Sequence, residues 1–315
     1  MNIVVIDGYP LNPHDLSWKP LAELGDLEVY DYSSPEQIVE RAKNAEVILV
    51  NKALITKEII EKLPKLKLIS VMATGYNNLD LPAIRERGII VCNARAYAPH
   101  TVAQHTFALL LELTNHVGIH DKSVREGDWG KQPHFAYTLQ TMTELQGKTF
   151  GIFGWGNIGQ KVGEIAHAFG MEVLVWNRSI KNLPNWARQV SENDIIENSD
   201  VISLHLMLTP ENKEMVNETF LGKMKKNAFL LNTSRGGLVK EMALLKALQN
   251  QEIAGAGLDV LSIEPPTQGN ILFDAPRCII TPHNAWMSKE ARQRLLDIMV
   301  ENIRKFKEGK PQNIV

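Results

Sequence analysis

Phe150-Gly151-Ile152-Phe153-Gly154-Trp155-Gly156-Asn157-Ile158-Gly159 joins two kinds of hydrophobic period through a glycine turn. An apolar strand runs into three glycines spaced Gly-x-Gly-x-x-Gly. A helix then opens with Ile158, Val162, Ile165 and Phe169 on one face, ends at Gly170, and is followed by a second strand, Val173–Trp176. That order is the strand–turn–helix–strand context that makes the spacing meaningful. Gly154 permits the tight turn, Gly156 lets the backbone approach a pyrophosphate, and Gly159 lets the helix lie against the strand. The N–H groups that open the helix then favour an anion. Gly154, Trp155, Gly156, Asn157, Ile158 and Gly159 are therefore the candidate cofactor loop. The bland alternative is a glycine-rich turn without a ligand; flanks and periodicity both argue against it.

The second strand ends in Asn177-Arg178-Ser179, with Lys181 close by. An acid here would chelate the ribose hydroxyls of NAD. Asn177 stands in its place, and Arg178 and Ser179 suit a 2′-phosphate. The reading favours NADP(H), with NAD(H) as the alternative. The bland reading of Arg178 is a solvated charge that stacks on adenine.

Working outward, short apolar runs alternate with amphipathic segments on both sides of this unit, the pattern of parallel α/β sheets. Ile3–Ile6, Leu27–Tyr30, Val47–Val50, Leu68–Ala73 and Ile89–Cys92 supply a first set of strands, with helices at Pro35–Ala42, Lys57–Leu63 and Leu81–Arg87. Thr149–Phe153, Glu172–Trp176, Val201–Leu206, Ala228–Asn232, Ile253–Val260 and Cys278–Thr281 supply a second. Thr101 and Gln104 form a capping-box pattern at the head of a largely apolar helix, suited to a place between domains or subunits. Glu126–Glu144 reads as a polar excursion. Lys289–Lys307 is an amphipathic helix expected to return to the first domain. The expectation is two doubly wound α/β domains with a cleft between them: residues 1–100 with 287–315, discontinuous and flavodoxin-like, and residues 101–286, a NAD(P)-binding Rossmann fold.

The 315 residues exceed what one core usually serves, which agrees with two domains. A net charge of −2 offers no basic field for nucleic acid or an anionic membrane. Met1–Gly8 reads as a buried strand and turn, not an export signal. Cys92 and Cys278 sit in apolar runs and read as small buried hydrophobes in a reducing cytoplasm.

Three polar residues lie just past strand ends of the second set: Arg235, Glu264 and His283. Singly, each is more often a solvated or structural group. Together they fit reduction of a 2-keto acid. Arginine grips carboxylate and carbonyl oxygen, histidine donates the proton, and a neighbouring carboxylate favours the charged imidazole. No metal is called for, because the hydride comes from the cofactor.

With these residues in view, the chain resembles the D-isomer-specific 2-hydroxyacid dehydrogenase family. The glycine loop, Asn232-Thr233-Ser234-Arg235-Gly236-Gly237, Gly257-Leu258-Asp259-Val260 to Glu264-Pro265, and Pro282-His283 carry the likeness over nearly the whole length. His283-Asn284-Ala285-Trp286, Ser288–Arg292 and Ala73–Asp80 resemble its glycerate dehydrogenase (hydroxypyruvate reductase) branch. The resemblance implies Arg235, Glu264 and His283 as the catalytic set. It implies Thr74 and Gly75 N–H groups, with Arg235, as substrate contacts. It implies Asp259 on the nicotinamide amide, Thr101, His205, Thr233 and His283 along the cofactor, and a homodimer through the cofactor domain. The implied reaction is hydroxypyruvate or glyoxylate to D-glycerate or glycolate. Rival readings are a phosphoglycerate dehydrogenase, a D-lactate dehydrogenase, and a cofactor-sensing corepressor-like binding protein. Asn177 and Leu206-Met207 depart from the family pattern.

Overall fold

The computed structural model describes residues 1–315 and divides into two compact units. One comprises Met1–Ala98 with Trp286–Val315; the other is Pro99–Ala285. The breaks fall two residues and one residue earlier than expected from the sequence, the first because the helix expected to begin near His100 starts at Pro99. Thr101 is therefore no N-cap. Its hydroxyl instead donates to Ala285 O at 3.2 Å.

The first unit holds a parallel five-stranded sheet: β1 (Asn2–Val5), β2 (Asp26–Val29), β3 (Val47–Val50), β4 (Leu68–Val71) and β5 (Ile90–Cys92), in the order β2-β1-β3-β4-β5. β3 and β4 are buried at every position, as expected of strands covered on both faces. Ile38, Ile59, Ile60, Leu63 and Ile84 pack against Val4, Ile48, Val50 and Ile69 in one core. The Lys289–Lys307 helix belongs to this unit and packs on β4, where Ser70 Oγ meets Met299 Sδ at 3.2 Å. Its Arg292, 5% exposed, grips Asp15 with two bonds of 2.6 and 2.7 Å.

The second unit holds seven parallel strands: β6 (Thr149–Phe153), β7 (Glu172–Trp176), β8 (Ala187–Gln189), β9 (Val201–Leu204), β10 (Phe229–Asn232), β11 (Gly255–Leu258) and β12 (Cys278–Ile280). Their order is β12-β11-β10-β9-β6-β7-β8. β8 was not read from the sequence. Phe107, from the Pro99–Asn115 helix, stacks on Phe150 and on Phe169. That helix packs on the Asn157–Ala168 helix and on β10 and β11, so its wide apolar face is covered inside this unit. The polar excursion contains a short helix, Asp128–Lys131, and leaves Trp129, Phe135 and Met142 exposed. No helix is long and apolar enough to cross a membrane. Neither cysteine is in a disulfide, and burial pushes the Cys92 thiol up to about 11 and the Cys278 thiol up to about 12.

Candidate active site

The three loop glycines have different reasons to be glycine. Gly154 has φ +101°, and a Cβ there would lie 2.5 Å from His205 O. At Gly159 a Cβ would lie 2.0 Å from Gly154 O, so only glycine lets the helix sit this close. At Gly156 a Cβ would meet nothing within 4 Å. The protein's own packing demands the first and third; the middle one borders open space, which fits a pyrophosphate approaching the backbone. The Asn157–Ala168 helix starts without a side-chain cap, leaving its first N–H groups for a ligand. The Trp155 ring, 5% exposed, packs edge-on against Trp186, and the Trp155 backbone N–H donates to Asn177 Oδ1 at 3.1 Å. The Ile158 side chain packs into the core, so only its backbone can serve the loop.

Asn177 is tied into the chain on both sides, because its Nδ2 donates to Ser179 O at 3.0 Å. Arg178 and Ser179 are exposed. His205 follows β9, and its N–H donates to Phe153 O. Its Nε2 meets Ser203 Oγ at 2.9 Å, while Nδ1 is buried without a partner. Burial pushes this imidazole down to about 3, so it is neutral. Thr233 is buried, with its hydroxyl 3.1 Å from that of Thr106.

Arg235, Glu264 and His283 follow β10, β11 and β12, which are neighbours in the sheet. Two of the three are joined directly: His283 Nδ1 and Glu264 Oε2 are 2.6 Å apart. Glu264 Oε1 accepts the Leu261 N–H at 2.9 Å, which orients the carboxylate. With Nδ1 engaged, Nε2 is the nitrogen free to exchange a proton. Arg235 sits beside a close approach of two loops: a Cβ on Gly236 would fall 1.9 Å from Leu261 C, so the Arg235 and Glu264 loops touch only because residue 236 is glycine. One guanidinium nitrogen donates to Ser234 O at 2.7 Å.

His283 has φ +52°, a left-handed conformation that costs a non-glycine residue roughly 1–2 kcal/mol. Asp259 holds it there. This side chain, 1% exposed, accepts Thr281 Oγ1–H at 2.6 Å and Asn284 N–H at 3.0 Å on Oδ1, and Ala285 N–H at 2.9 Å on Oδ2. The carboxylate thus braces the turn that carries His283. His105, from the Pro99–Asn115 helix, completes the arrangement. Its Nε2 lies 2.9 Å from Thr281 Oγ1. The single hydroxyl proton of Thr281 is already given to Asp259, so His105 must be the donor in that contact. The chain His105–Thr281–Asp259 supports the His283 turn from behind. No local motif announced it.

In the first unit, Thr74 lies beyond β4. Its hydroxyl donates to Ala94 O and its carbonyl accepts from Asn93 Nδ2, both at 2.8 Å. The N–H groups of Thr74 and Gly75 make no bond within the chain.

A glycine loop opening a helix beside a switch in strand order, with a carboxylate and its paired histidine three and four strands along the sheet, defines a dinucleotide-binding oxidoreductase. Comparison with known proteins narrows this. The family model described as D-isomer specific 2-hydroxyacid dehydrogenase, NAD binding domain, matches residues 107–285. The chain is 43% identical to the hydroxypyruvate reductase of Blautia hydrogenotrophica, over 100% of this chain and 99% of that one. It is 44% identical to the glycerate dehydrogenase of Methylorubrum extorquens, over 91% and 92%. Among solved structures it resembles an acyclic imino acid reductase (Bsp5) in complex with NADPH and D-Arg, with TM-score 0.87, 34% identity and full coverage of both chains. The chain belongs to the D-isomer specific 2-hydroxyacid dehydrogenase family.

Proposed function

We propose that this enzyme reduces hydroxypyruvate, and glyoxylate with it, to D-glycerate and glycolate, with NADPH as the favoured donor. The observation that carries the chemistry is the 2.6 Å contact between His283 Nδ1 and Glu264 Oε2. It holds the imidazole so that Nε2 delivers a proton to the nascent alkoxide. Arg235 binds the substrate carboxylate and polarises the carbonyl oxygen. The Thr74 and Gly75 N–H groups, which make no bond within the chain, are assigned as substrate contacts of the first unit. Gly156 and the head of the Asn157–Ala168 helix hold the pyrophosphate, and Thr101, Thr233, His205 and Asp259 line or brace the cofactor site. When bound, the dihydronicotinamide supplies the hydride. The two relatives named above support the choice of substrate, and residues 73–80 offer no cation for a phosphorylated one. Arg178 and Ser179, with Asn177 where an acid would repel a 2′-phosphate, support NADPH. The exposed Trp129, Phe135 and Met142 support a homodimer through the second unit.

The test is a spectrophotometric screen of hydroxypyruvate, glyoxylate and pyruvate, each with NADH and NADPH. Hydroxypyruvate with NADPH is expected to be fastest. A preference for NADH of about tenfold, about 1.4 kcal/mol, overturns the cofactor reading. No turnover with any of the three acids overturns the reaction. Light scattering on the same sample should return twice the chain mass of 35.4 kDa; a monomer removes the dimer.

A further inference from the structure

The strand absent from the sequence reading, β8, ends in Gln189, which pairs with Val175 of β7 on the edge of the sheet. The Gln189 side chain makes three bonds to the loop leaving β7. Its Nε2 donates to Asn177 O and Ser179 O, both at 3.1 Å, and its Oε1 accepts the Lys181 N–H at 3.0 Å. One amide thus pins the loop over residues 177–181 from start to finish.

Inside the loop, Asn177 Nδ2 also lies 3.2 Å from Ser179 Oγ. An amide N–H directed at that oxygen makes the hydroxyl an acceptor there and leaves its own proton to be donated outward. A carboxylate at 177 would reverse this, taking the serine proton and repelling a phosphate. Arg178 stands between them with an exposed side chain. Its charge also helps hold the Glu211 carboxyl below its ordinary value, after the Thr209 hydroxyl. A guanidinium and a free hydroxyl proton on adjacent residues form a donor set for a phosphate monoester.

We propose that Gln189 is a positioning residue for cofactor choice: it sets the 177–181 loop so that Arg178 and Ser179 act together on a phosphorylated adenosine ribose. This rests on the reading that the loop meets the adenosine end of NADPH. Gln189 itself touches no phosphate; it fixes the backbone from which both donors project. A methionine there keeps the length but leaves Asn177 O and Lys181 N–H without their side-chain partner and Ser179 O with Asn177 Nδ2 alone, freeing the loop to take other shapes.

The experiment is calorimetric titration of the chain with NADPH and with NADH, for the unaltered protein, Gln189→Met and Ser179→Ala. The unaltered protein should bind NADPH more tightly. In Gln189→Met the ratio of the two dissociation constants should move about tenfold toward NADH, and Ser179→Ala should move it the same way. Gln189→Asn, too short to reach all three partners, takes the same measurement if the methionine variant does not fold. NADPH preference in the unaltered protein with an unchanged ratio in the Gln189 variant overturns the proposal alone. So does an equal loss of both cofactors, which marks a merely structural role. Tighter NADH binding by the unaltered protein overturns the NADPH reading, and the proposal with it.

Discussion

The two units carry the same topological switch and use it in opposite ways. In the first, β1 lies between β2 and β3; in the second, β6 lies between β7 and β9. At such a point neighbouring loops diverge and leave a crevice at the strand ends. In the first unit the crevice is filled from within. Asp7, two residues past β1, accepts N–H groups from Asn51 and Lys52 at 2.6 Å and from Ala53 at 2.8 Å, all in the turn after β3. Burial raises its carboxyl above the ordinary value, with those three bonds working against the rise. In the second unit the corresponding place holds Gly154–Gly159. No carboxylate closes it: Asn177 Oδ1 takes only the Trp155 N–H, Gly156 borders open space, and the helix behind keeps its N–H groups for a ligand. The same position in a sheet becomes a structural knot or a binding site according to whether the chain brings its own carboxylate.

Three variants break or sharpen that contrast. The largest effect is expected at His283, proposed above as the proton donor to substrate. His283→Ala should cut turnover by about a hundredfold or more while the melting temperature stays near that of the unaltered protein; a near-normal rate removes its assignment as proton donor. Next is Asp7→Ala, which strands three N–H groups. Chemical denaturation should report a loss of about 2–3 kcal/mol, with NADPH affinity in the second unit unchanged. If the affinity falls instead, the two crevices are not independent and the contrast fails.

The smallest effect concerns His205, beside the glycine loop. Its folded imidazole is pushed down to about 3 from an ordinary 6.5. Between those values the unfolded chain binds a proton that the folded chain refuses. Stability therefore falls as pH drops through that window, by up to about 1.4 kcal/mol per pH unit. Thermal melts at about pH 7.5 and 5.5 should show a smaller acid loss in His205→Asn; equal losses in both proteins would sink this account.

Much of the frame was legible because its signals are local. The Thr149–Phe153 and Glu172–Trp176 strands and the Lys289–Lys307 helix match their sequence readings end to end. Each is bounded by a glycine, a cap or a change of period. β8 escaped because it is three residues long, partly exposed, and has no apolar run. The capping box at Thr101 misled because Pro99 can begin a helix, and the threonine hydroxyl found Ala285 O instead. Arg235, Glu264 and His283 were legible as polar residues just past strand ends. The left-handed backbone of His283 was not, because it depends on bonds that Asp259 makes to three other groups.

Two parallel α/β sheets, the glycine loop and the polar residues at the strand ends are encoded locally. They follow from side-chain period and from the missing Cβ of glycine, properties of short stretches of chain. The partners of those residues are set by long-range packing. His105 meets Thr281 across 176 residues, and Gln189 reaches back to pin the loop leaving β7. Which donor finds which acceptor depends on which strands lie side by side, and strand order is settled by the packing of the whole unit.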